Sequence, residues 1–377
     1  MRRIGAWLVA ALVCAIVAQG QSREADVKTA FARAQHLRHG INASEWFAQA
    51  QDYSAAHTDK YTDAADIALM AKLGFDNVRI SIDPDALEHW PTDADGFNAD
   101  FVARLDKAVD TVLADGLAVE IDVHPDENFK AALRSGDDGV NRLVMLWQKL
   151  AKHYAGRDPE RVFFEVLNEP EVHDAYRWQG ILERTAAAIR AAAPRNTIIA
   201  AGTNWSDIWD LAALHPLADG NVIYNFHFYE PHEFTHQGAF WGEWWWRYTH
   251  GVKYPSDESQ MNEILAQTPD AVSRYRMKLY FLDHWDAHRM KLLMDEAAAW
   301  GKANHAPITC NEFGAYRDHA DAQSRMNWIR DVRTAMEEDG IGWTMWDYRG
   351  GFGVVWKQDG APARVDEQVV EALGLKR

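Results

Sequence analysis

Two glutamates in this sequence stand where paired carboxyl groups could act on one bond of a substrate. Glu169 lies between Asn168 and Pro170, and Glu312 follows Asn311 much later in the chain. Hydrolysis of a glycosidic bond needs one carboxyl group to protonate the leaving oxygen and a second to attack the sugar or to activate water. A gap of about 5–5.5 Å between the two groups gives retention of stereochemistry, and a gap of about 6.5–9.5 Å gives inversion. The sequence leaves both outcomes open.

Further polar side chains stand at or just after the ends of other short apolar runs. These residues are Arg79, His124, Asn168, His227, Tyr229 and Asp347. Each has an ordinary structural explanation when it is taken alone: an ion pair, a hydrogen-bonded buried histidine or a helix cap. Burial of several charged groups is costly unless they are paired. If several of these side chains converge at one end of the fold, a catalytic or binding site is favoured over the separate structural explanations.

The elements that must position these residues are short apolar runs that alternate with segments of helical periodicity. Eight such runs predict strands over Leu37–Asn42, Asn77–Ile82, Leu117–Val123, Val162–Asn168, Thr197–Ala201, Val222–Phe228, Pro307–Glu312 and Gly342–Trp346. Helical patterns lie between them near residues 63–73, 98–115, 139–155, 174–193, 205–213, 286–304 and 322–338. Eight alternating units predict an α/β fold, a single-domain (β/α)8 TIM barrel.

The predicted barrel brings the two glutamates together. Glu169 follows the fourth strand and Glu312 ends the seventh. The carboxyl ends of barrel strands open into one shared pocket, where barrel enzymes build their active sites. Strands four and seven lie across the mouth of the barrel, so the two carboxyl groups can face each other over a bound substrate.

One connection is much longer than a return helix requires. We expect residues 230–285, after the sixth strand, to form an extended Trp-rich loop insertion that carries Trp241, Trp244, Trp245 and Trp246. Connections this long are uncommon in compact domains and are often functional. Two interpretations stay open, since the tryptophans could be a hydrophobic plug or one wall of a substrate cleft.

Composition excludes several classes of protein. The chain has 377 residues, is 47% hydrophobic and carries a formal net charge of −17. Such a composition is typical of globular proteins, and the acidic balance argues against binding of nucleic acid. Residues 1–20 have the basic start, the uncharged run and the small residues of a signal peptide, which predicts a secreted or periplasmic protein with no membrane attachment after cleavage.

Removal of residues 1–20 leaves a lead-in over residues 21–36 and a catalytic domain over residues 37–377. Cys310 is then the single cysteine, so no internal disulfide can form. The remaining sequence has no Cys/His cluster with the spacing of a zinc site. We therefore expect neither a metal nor a cofactor.

The motifs resemble those of one known family. The run Phe164–Pro170 is similar to the Asn-Glu-Pro signature of glycoside hydrolase family 5, the cellulase-type barrels, and Asn311–Gly314 resembles the strand that carries the nucleophile in that family. Matches to its first, second, sixth and eighth strands follow in the family's order. They are Arg38–Asn42, Val78–Ile80, His227–Tyr229 and Trp346. The resemblance covers residues 35–350 and implies the barrel fold.

The resemblance also implies a role for each matching residue. Glu169 would be the general acid/base and Glu312 the nucleophile. Arg79 would support the nucleophile, and Tyr229 would donate a hydrogen bond to it. The substrate contacts that the resemblance implies come from Asn168, His124, His227 and Trp346. Trp46 and Trp205 are further candidates for substrate contact, outside the matching motifs.

Two positions depart from the family pattern. His124 is followed by Pro125 where many relatives have a second histidine, and Asn311 stands where glycine is common. We predict a secreted, monomeric, retaining β-glycanase that hydrolyses a β-linked oligo- or polysaccharide, in the manner of an endo-β-1,4-glucanase. A β-mannanase, a xyloglucanase or an exo-acting β-glucosidase is the alternative on the same fold. A metal-dependent barrel hydrolase and a non-catalytic sugar-binding barrel are alternatives from other classes.

Overall fold

The eight predicted apolar runs form the strands of one closed barrel. The computed structural model describes residues 22–376, and all neighbouring strands of the barrel pair in parallel. In chain order the strands are β1 His39–Phe47, β2 Asn77–Ile82, β3 Ala118–Val123, β4 Val162–Glu165, β5 Thr197–Ala201, β6 Val222–Phe228, β7 Ile308–Phe313 and β8 Gly342–Met345. The predicted (β/α)8 TIM barrel is confirmed. A small antiparallel pair follows, β9 Val355–Trp356 and β10 Arg364–Val365.

Five strands differ from their predicted bounds: β3, β7 and β8 are shifted by one residue at one or both ends, and β1 and β4 differ by more. β1 continues to Phe47, because its polar stretch stays paired with β2 through an irregularity between Ala43 and Phe47. β4 ends at Glu165, three residues before its predicted end at Asn168. Beyond Glu165 the chain keeps single hydrogen bonds to its neighbours, such as the one from the Asn168 N–H to the Val123 carbonyl (2.9 Å).

Helices surround the barrel, and the longer ones match the predicted segments closely. The helix α1 includes residues 22–33. The others are α2 Ala55–Tyr61, α3 Ala64–Leu73, α4 Pro84–Leu87, α5 Ala99–Ala114, α6 Glu127–Ser135, α7 Asp137–Tyr154, α8 Ala175–Ala192, α9 Ile208–Leu211, α10 His232–Thr235, α11 Met261–Gln267, α12 Ala271–Leu282, α13 Ala287–Asn304, α14 Ala322–Glu338 and α15 Glu367–Ala372. Short 3-10 helices lie at Ala34–His36, Trp246–Tyr248 and Glu258–Gln260.

Side chains at the helix starts explain why many of these helices begin where they do. Asp174 accepts hydrogen bonds from the first backbone N–H groups of α8, Asn98 does so for α5, and Asp321 does so for α14. Such caps satisfy donors that have no partner inside the helix.

Part of the unusual tryptophan content lies in the core between barrel and helices. Trp147 and Trp178 are fully buried, and each donates its indole N–H to the carbonyl of a residue at the carboxyl end of a strand. The acceptors are Val166 (2.7 Å), just after β4, and Ala201 (2.8 Å), the last residue of β5. These bonds fix the rim of the barrel from behind, where the candidate site residues lie.

The segment after β6 is more ordered than a loop. Residues 230–285 contain α10, α11 and α12, so the prediction of an extended loop is wrong over these parts. Asp270 caps α12 by accepting from the Ser273 N–H (2.7 Å), a start signal that the sequence analysis missed. Trp245 and Trp246 are buried in this insertion, whereas Trp241 and Trp244 keep part of their surface exposed.

The predicted signal peptide, residues 1–20, lies outside the described residues. Among residues 22–376, no helix combines the length and the apolar character that a bilayer crossing requires.

Candidate active site

Arg79 lies at the centre of a polar cluster inside the carboxyl end of the barrel. Its side chain is fully buried on β2, and its Nη1 donates to Glu312 Oε1 (2.7 Å) and to Asn42 Oδ1 (2.9 Å). Its Nε and Nη2 bind both oxygens of Glu165 (2.7 and 2.9 Å), and Nη2 lies 3.0 Å from Asp122 Oδ2. Burial acts to lower the pKa of Arg79, but the three facing carboxylates raise it well above its usual value. The guanidinium is therefore a fixed positive charge.

Glu312, on β7, receives a hydrogen bond on each of its two oxygens. Arg79 binds Oε1, and the Tyr229 hydroxyl donates to Oε2 (2.9 Å). Burial and the neighbouring carboxylates raise the pKa of Tyr229 well above its usual value, so its hydroxyl keeps the proton that it donates. Donors on both oxygens stabilise the ionised carboxylate, which is the form that can attack a sugar carbon.

Glu169 faces Glu312 from the β4–α8 loop, residues 166–174. One oxygen of each carboxyl group and one ring nitrogen of His227 all lie within 4.8 Å of one another. The His227 Nδ1 is 3.1 Å from Glu169 Oε1 and 3.5 Å from Glu312 Oε2. Burial raises the pKa of Glu169, although the positive charges of Lys130 and Arg79 oppose that rise. The two carboxyl groups thus have different surroundings: Glu312 accepts a hydrogen bond on each oxygen, whereas burial favours the protonated form of Glu169.

Two histidines line this space as neutral rings. Burial lowers the pKa of His124 and of His227 to about 4 in each case. The His124 Nδ1 lies 2.9 Å from Asp122 Oδ2, and its Nε2 lies 3.2 Å from the Asn168 amide nitrogen. Because ionised Asp122 can only accept, a neutral His124 carries its proton on Nδ1 and accepts from Asn168.

Asn168 is held on both sides of its amide. Its Oδ1 accepts from Arg79 Nη2 (2.9 Å), and its Nδ2 donates to His124. Asn168 directly precedes Glu169, so this amide is fixed beside the carboxyl group. The second N–H of this amide group is the donor that remains for a sugar hydroxyl.

The three candidate tryptophans lie in different surroundings. Trp346 follows β8, is partly exposed and stacks on His124, with ring centroids 6.0 Å apart and an interplanar angle of 20°. Trp205 is 51% exposed on the β5–α9 loop and contacts His173 edge to face. Trp46 is not brought to the cluster: it is buried, and its indole N–H donates to the Thr58 carbonyl (2.8 Å).

A second polar layer lies below the cluster, and the sequence analysis did not select its residues. The Asn311 amide donates to Glu120 Oε2 (2.8 Å) and to Glu165 Oε2 (2.9 Å), and all three side chains are buried. Burial and the nearby charge of Glu165 raise the pKa of Glu120 well above its usual value, which keeps Glu120 in its protonated form. Charged residues in the middle of apolar strands were the available signal.

Metal binding is the other chemistry to test for at this position. In the part of the chain that the structure describes, the group with metal-ligand spacing is Glu169, His227 and Glu312. The Arg79 guanidinium lies 2.7 Å from Glu312, so a second positive charge there would be repelled. The group therefore fits acid–base and nucleophilic chemistry better than cation binding.

Comparisons with known proteins agree on one relationship. A sequence model of the family described as "Cellulase (glycosyl hydrolase family 5)" matches residues 40–351. Endoglucanase C of Acetivibrio thermocellus is 28% identical over 344 residues, which are 90% of this chain and 98% of that protein. Endoglucanase 3 of Fibrobacter succinogenes is 26% identical over 340 residues, which are 85% of this chain and 50% of that protein.

Solved structures give the same result for the fold. The structure of Thermotoga maritima Cel5A in complex with cellobiose matches with a TM-score of 0.75 at 27% sequence identity. The match covers 91% of this chain and 99% of that one. The similarity therefore extends over nearly all of this chain.

Proposed function

The chain belongs to glycosyl hydrolase family 5, and from that premise we propose that Glu169 is its general acid/base and Glu312 its nucleophile. The family and the endoglucanase relatives make it a glycoside hydrolase of the endo-β-1,4-glucanase type. The observation that carries the assignment of the two residues is their approach to within 4.8 Å in different surroundings. That gap is close to the spacing of about 5–5.5 Å associated with retention.

The proposed reaction has two displacements. Glu312 attacks the anomeric carbon, the bond from that carbon to the leaving oxygen breaks, and Glu169 gives its proton to that oxygen. A water molecule then attacks the same carbon, Glu169 accepts a proton from the water, and Glu312 leaves as a carboxylate. The sugar product keeps its β configuration because the carbon is inverted twice.

The surrounding residues fit supporting roles in this reaction. Arg79 and Tyr229 hold Glu312 in place and stabilise its charge before attack and after release. Neutral His227 lies between the two glutamates, so its Nδ1 can interact with Glu169 as that carboxyl group loses and regains its proton. Asn168 and His124 are placed to bind hydroxyl groups of the sugar that is attacked.

Two aromatic side chains suit the sugar rings on either side of the scissile bond. Trp346 stacks on His124 and leaves part of its surface free inside the site. Trp205 contacts His173 on the loop that carries Glu169, the proposed acid for the leaving oxygen, so we place Trp205 on the side of the departing sugar. Tryptophan offers a flat apolar face to a sugar ring and an N–H group to its hydroxyls.

The cellular setting is part of the proposal. A β-linked glucan is a polymer met outside the cell, and the relatives in the comparison are endoglucanases. We propose a secreted or periplasmic monomer that acts on such a glucan.

Substitution of each glutamate tests the assignment. We expect Glu169→Gln and Glu312→Gln to lower kcat/KM on cellotetraose, whose sugar leaving group must be protonated, by about 10²-fold or more, since each removes a group that takes part in the chemical step. NMR of the first product formed by the parent enzyme should show the β anomer. Glu296→Gln, at an exposed position of α13, is the matched control and should keep parent activity. Parent-level hydrolysis by either active-site variant contradicts the assignment.

A further inference from the structure

The β4–α8 loop that carries Glu169 has an unfavourable backbone conformation. Glu169 (φ 43°) and His173 (φ 62°) both lie in the left-handed region, although neither is a glycine. Residues with a side chain persist there only when their surroundings hold them. The position of the carboxyl group therefore depends on whatever fixes this loop at its two ends.

Thr203 makes two side-chain contacts that tie the loop ends together. Its hydroxyl donates to the Pro170 carbonyl (3.0 Å) and accepts from the His173 backbone N–H (3.2 Å). Pro170 directly follows Glu169, and the Thr203 side chain is buried. One hydroxyl thus connects the residue next to the carboxyl group with the residue at which the loop turns toward α8.

The segment on which Thr203 lies is itself anchored. In the β5–α9 loop, residues 202–207, the Asn204 N–H also donates to the Pro170 carbonyl (3.0 Å), and the Asn204 side chain donates to Asp210 (3.1 Å). The Ser206 carbonyl accepts from the backbone N–H of His227 (2.7 Å), the residue whose ring contacts Glu169. This loop therefore connects the Glu169 loop with β6.

We propose that Thr203 is a positioning residue for Glu169, an inference that rests on the proposed role of Glu169 as the general acid. Thr203 does not contact the reacting atoms. Its hydroxyl holds the 169–173 turn so that the Glu169 proton is directed at the leaving oxygen. A small displacement of a catalytic group from its productive geometry is enough to slow the chemical step.

The test uses two substrates that differ in their need for an acid. Cellotetraose has a sugar leaving group that must be protonated, whereas 2,4-dinitrophenyl β-cellobioside releases a stable phenolate without a proton. We expect Thr203→Val, which keeps the shape and removes the hydroxyl, to lower kcat/KM on cellotetraose by about tenfold. On the dinitrophenyl substrate we expect a loss of less than about twofold. Thr203→Ser should stay near the parent on both substrates.

Matched controls separate positioning from general damage. Thr185 on α8 is also buried, and its hydroxyl donates to the Ile181 carbonyl (2.8 Å), away from the site. Thr185→Val should therefore change the two substrates equally or not at all. If Thr203→Val does not fold, Thr203→Ala supplies the same comparison.

The outcomes are distinguishable. An equal loss on both substrates, or no loss on either, in the variant that lacks the hydroxyl overturns the inference about Thr203. Glu169→Gln, measured beside it, must itself show the larger loss on cellotetraose. If Glu169→Gln affects both substrates equally, the proposed role of Glu169 fails, whatever Thr203 does.

Discussion

At the scale of single residues, the site contains fewer positively charged side chains than acidic ones. Arg79 is paired with Asp122, Glu165 and Glu312, and Glu120 lies in the layer below. One guanidinium cannot neutralise four buried carboxylates, so the excess is reduced by protonation. The pKa of Glu120 is raised well above its usual value, and burial raises the pKa of Asp122 to about 6. The donors of Glu312, unlike those of Glu120, cover both oxygens of the carboxyl group.

Lys130 is a nearby charge outside that network which acts on Glu169, the proposed acid/base residue. It is largely buried on α6, and its Nζ donates to Glu171 Oε1 (2.8 Å), two residues beyond Glu169. Burial raises the pKa of Glu169, Lys130 is the largest influence that lowers it, and Glu171 adds to the rise. Lys130 and Glu171 therefore both influence the pH above which Glu169 loses its proton.

Removal of either charge should move the pH profile, in opposite directions. The free enzyme loses kcat/KM as pH rises through the pKa of its general acid. We expect Lys130→Met to raise the pKa of Glu169 and move the alkaline limb to higher pH, and Glu171→Gln to move it to lower pH. The measurement is kcat/KM on cellotetraose against pH. Lys152→Met, at an exposed position of α7, should leave the alkaline limb in place. Movement of the alkaline limb in the same direction in Lys130→Met and Glu171→Gln would refute the idea.

At the scale of elements, the strands were predictable and the loop backbones were not. β2, β5 and β6 have the predicted bounds, because strands of a closed parallel barrel are buried on both faces and form continuous apolar runs. The order of strands then placed Glu169 and Glu312 on one rim. The sequence gives no sign that Glu169, Trp205 and Ser206 have positive φ, since none of them is a glycine or an asparagine. Trp46 was misplaced because nothing in β1 marks its irregular register.

Close approach of β7 and β8 beyond Glu312 makes Gly314 sensitive to any side chain. A Cβ atom at Gly314 would lie 2.4 Å from the Trp346 carbonyl oxygen, and the Trp346 N–H already donates to the Phe313 carbonyl (2.9 Å). We expect Gly314→Ala to lower the free energy of unfolding by roughly 2 kcal/mol, because backbone must move. It should also lower kcat/KM, because Glu312 lies two residues before the displaced position.

Urea denaturation and activity of the same preparations check this expectation. Gly180→Ala is the matched control, since a Cβ there meets nothing within 4 Å inside α8. That change should raise the stability by about 0.5–1 kcal/mol through the better helix propensity of alanine. A Gly314→Ala protein with parent stability would show that the two strands can separate freely at this point.

At the scale of the whole molecule, the insertion and the barrel share one packed structure. The Trp328 indole N–H on α14 donates to the Glu230 carbonyl (3.0 Å), where the insertion begins. Farther on, the Tyr254 hydroxyl donates to Asp331 Oδ2 on α14 (2.9 Å). Within α10, the Thr235 hydroxyl donates to the Tyr229 carbonyl (2.5 Å), and the Tyr229 hydroxyl in turn donates to Glu312. The insertion therefore supports the site from outside the barrel, and its stability should not be separable from that of the barrel.

The Tyr254–Asp331 contact measures this coupling. We expect Tyr254→Phe to lower the free energy of unfolding by about 1–3 kcal/mol, because it leaves the half-buried Asp331 carboxyl group without its donor. Asp331→Asn and the double variant complete a double-mutant cycle. The loss of stability in the double variant should be smaller than the sum of the losses in the two single variants, as for residues in direct contact. Unfolding should remain one transition, and kcat/KM on 4-nitrophenyl β-cellobioside should stay within about twofold of the parent, since neither residue touches the catalytic cluster. Strict additivity, or a separate early transition in Tyr254→Phe, would mean that the insertion is stabilised independently of α14.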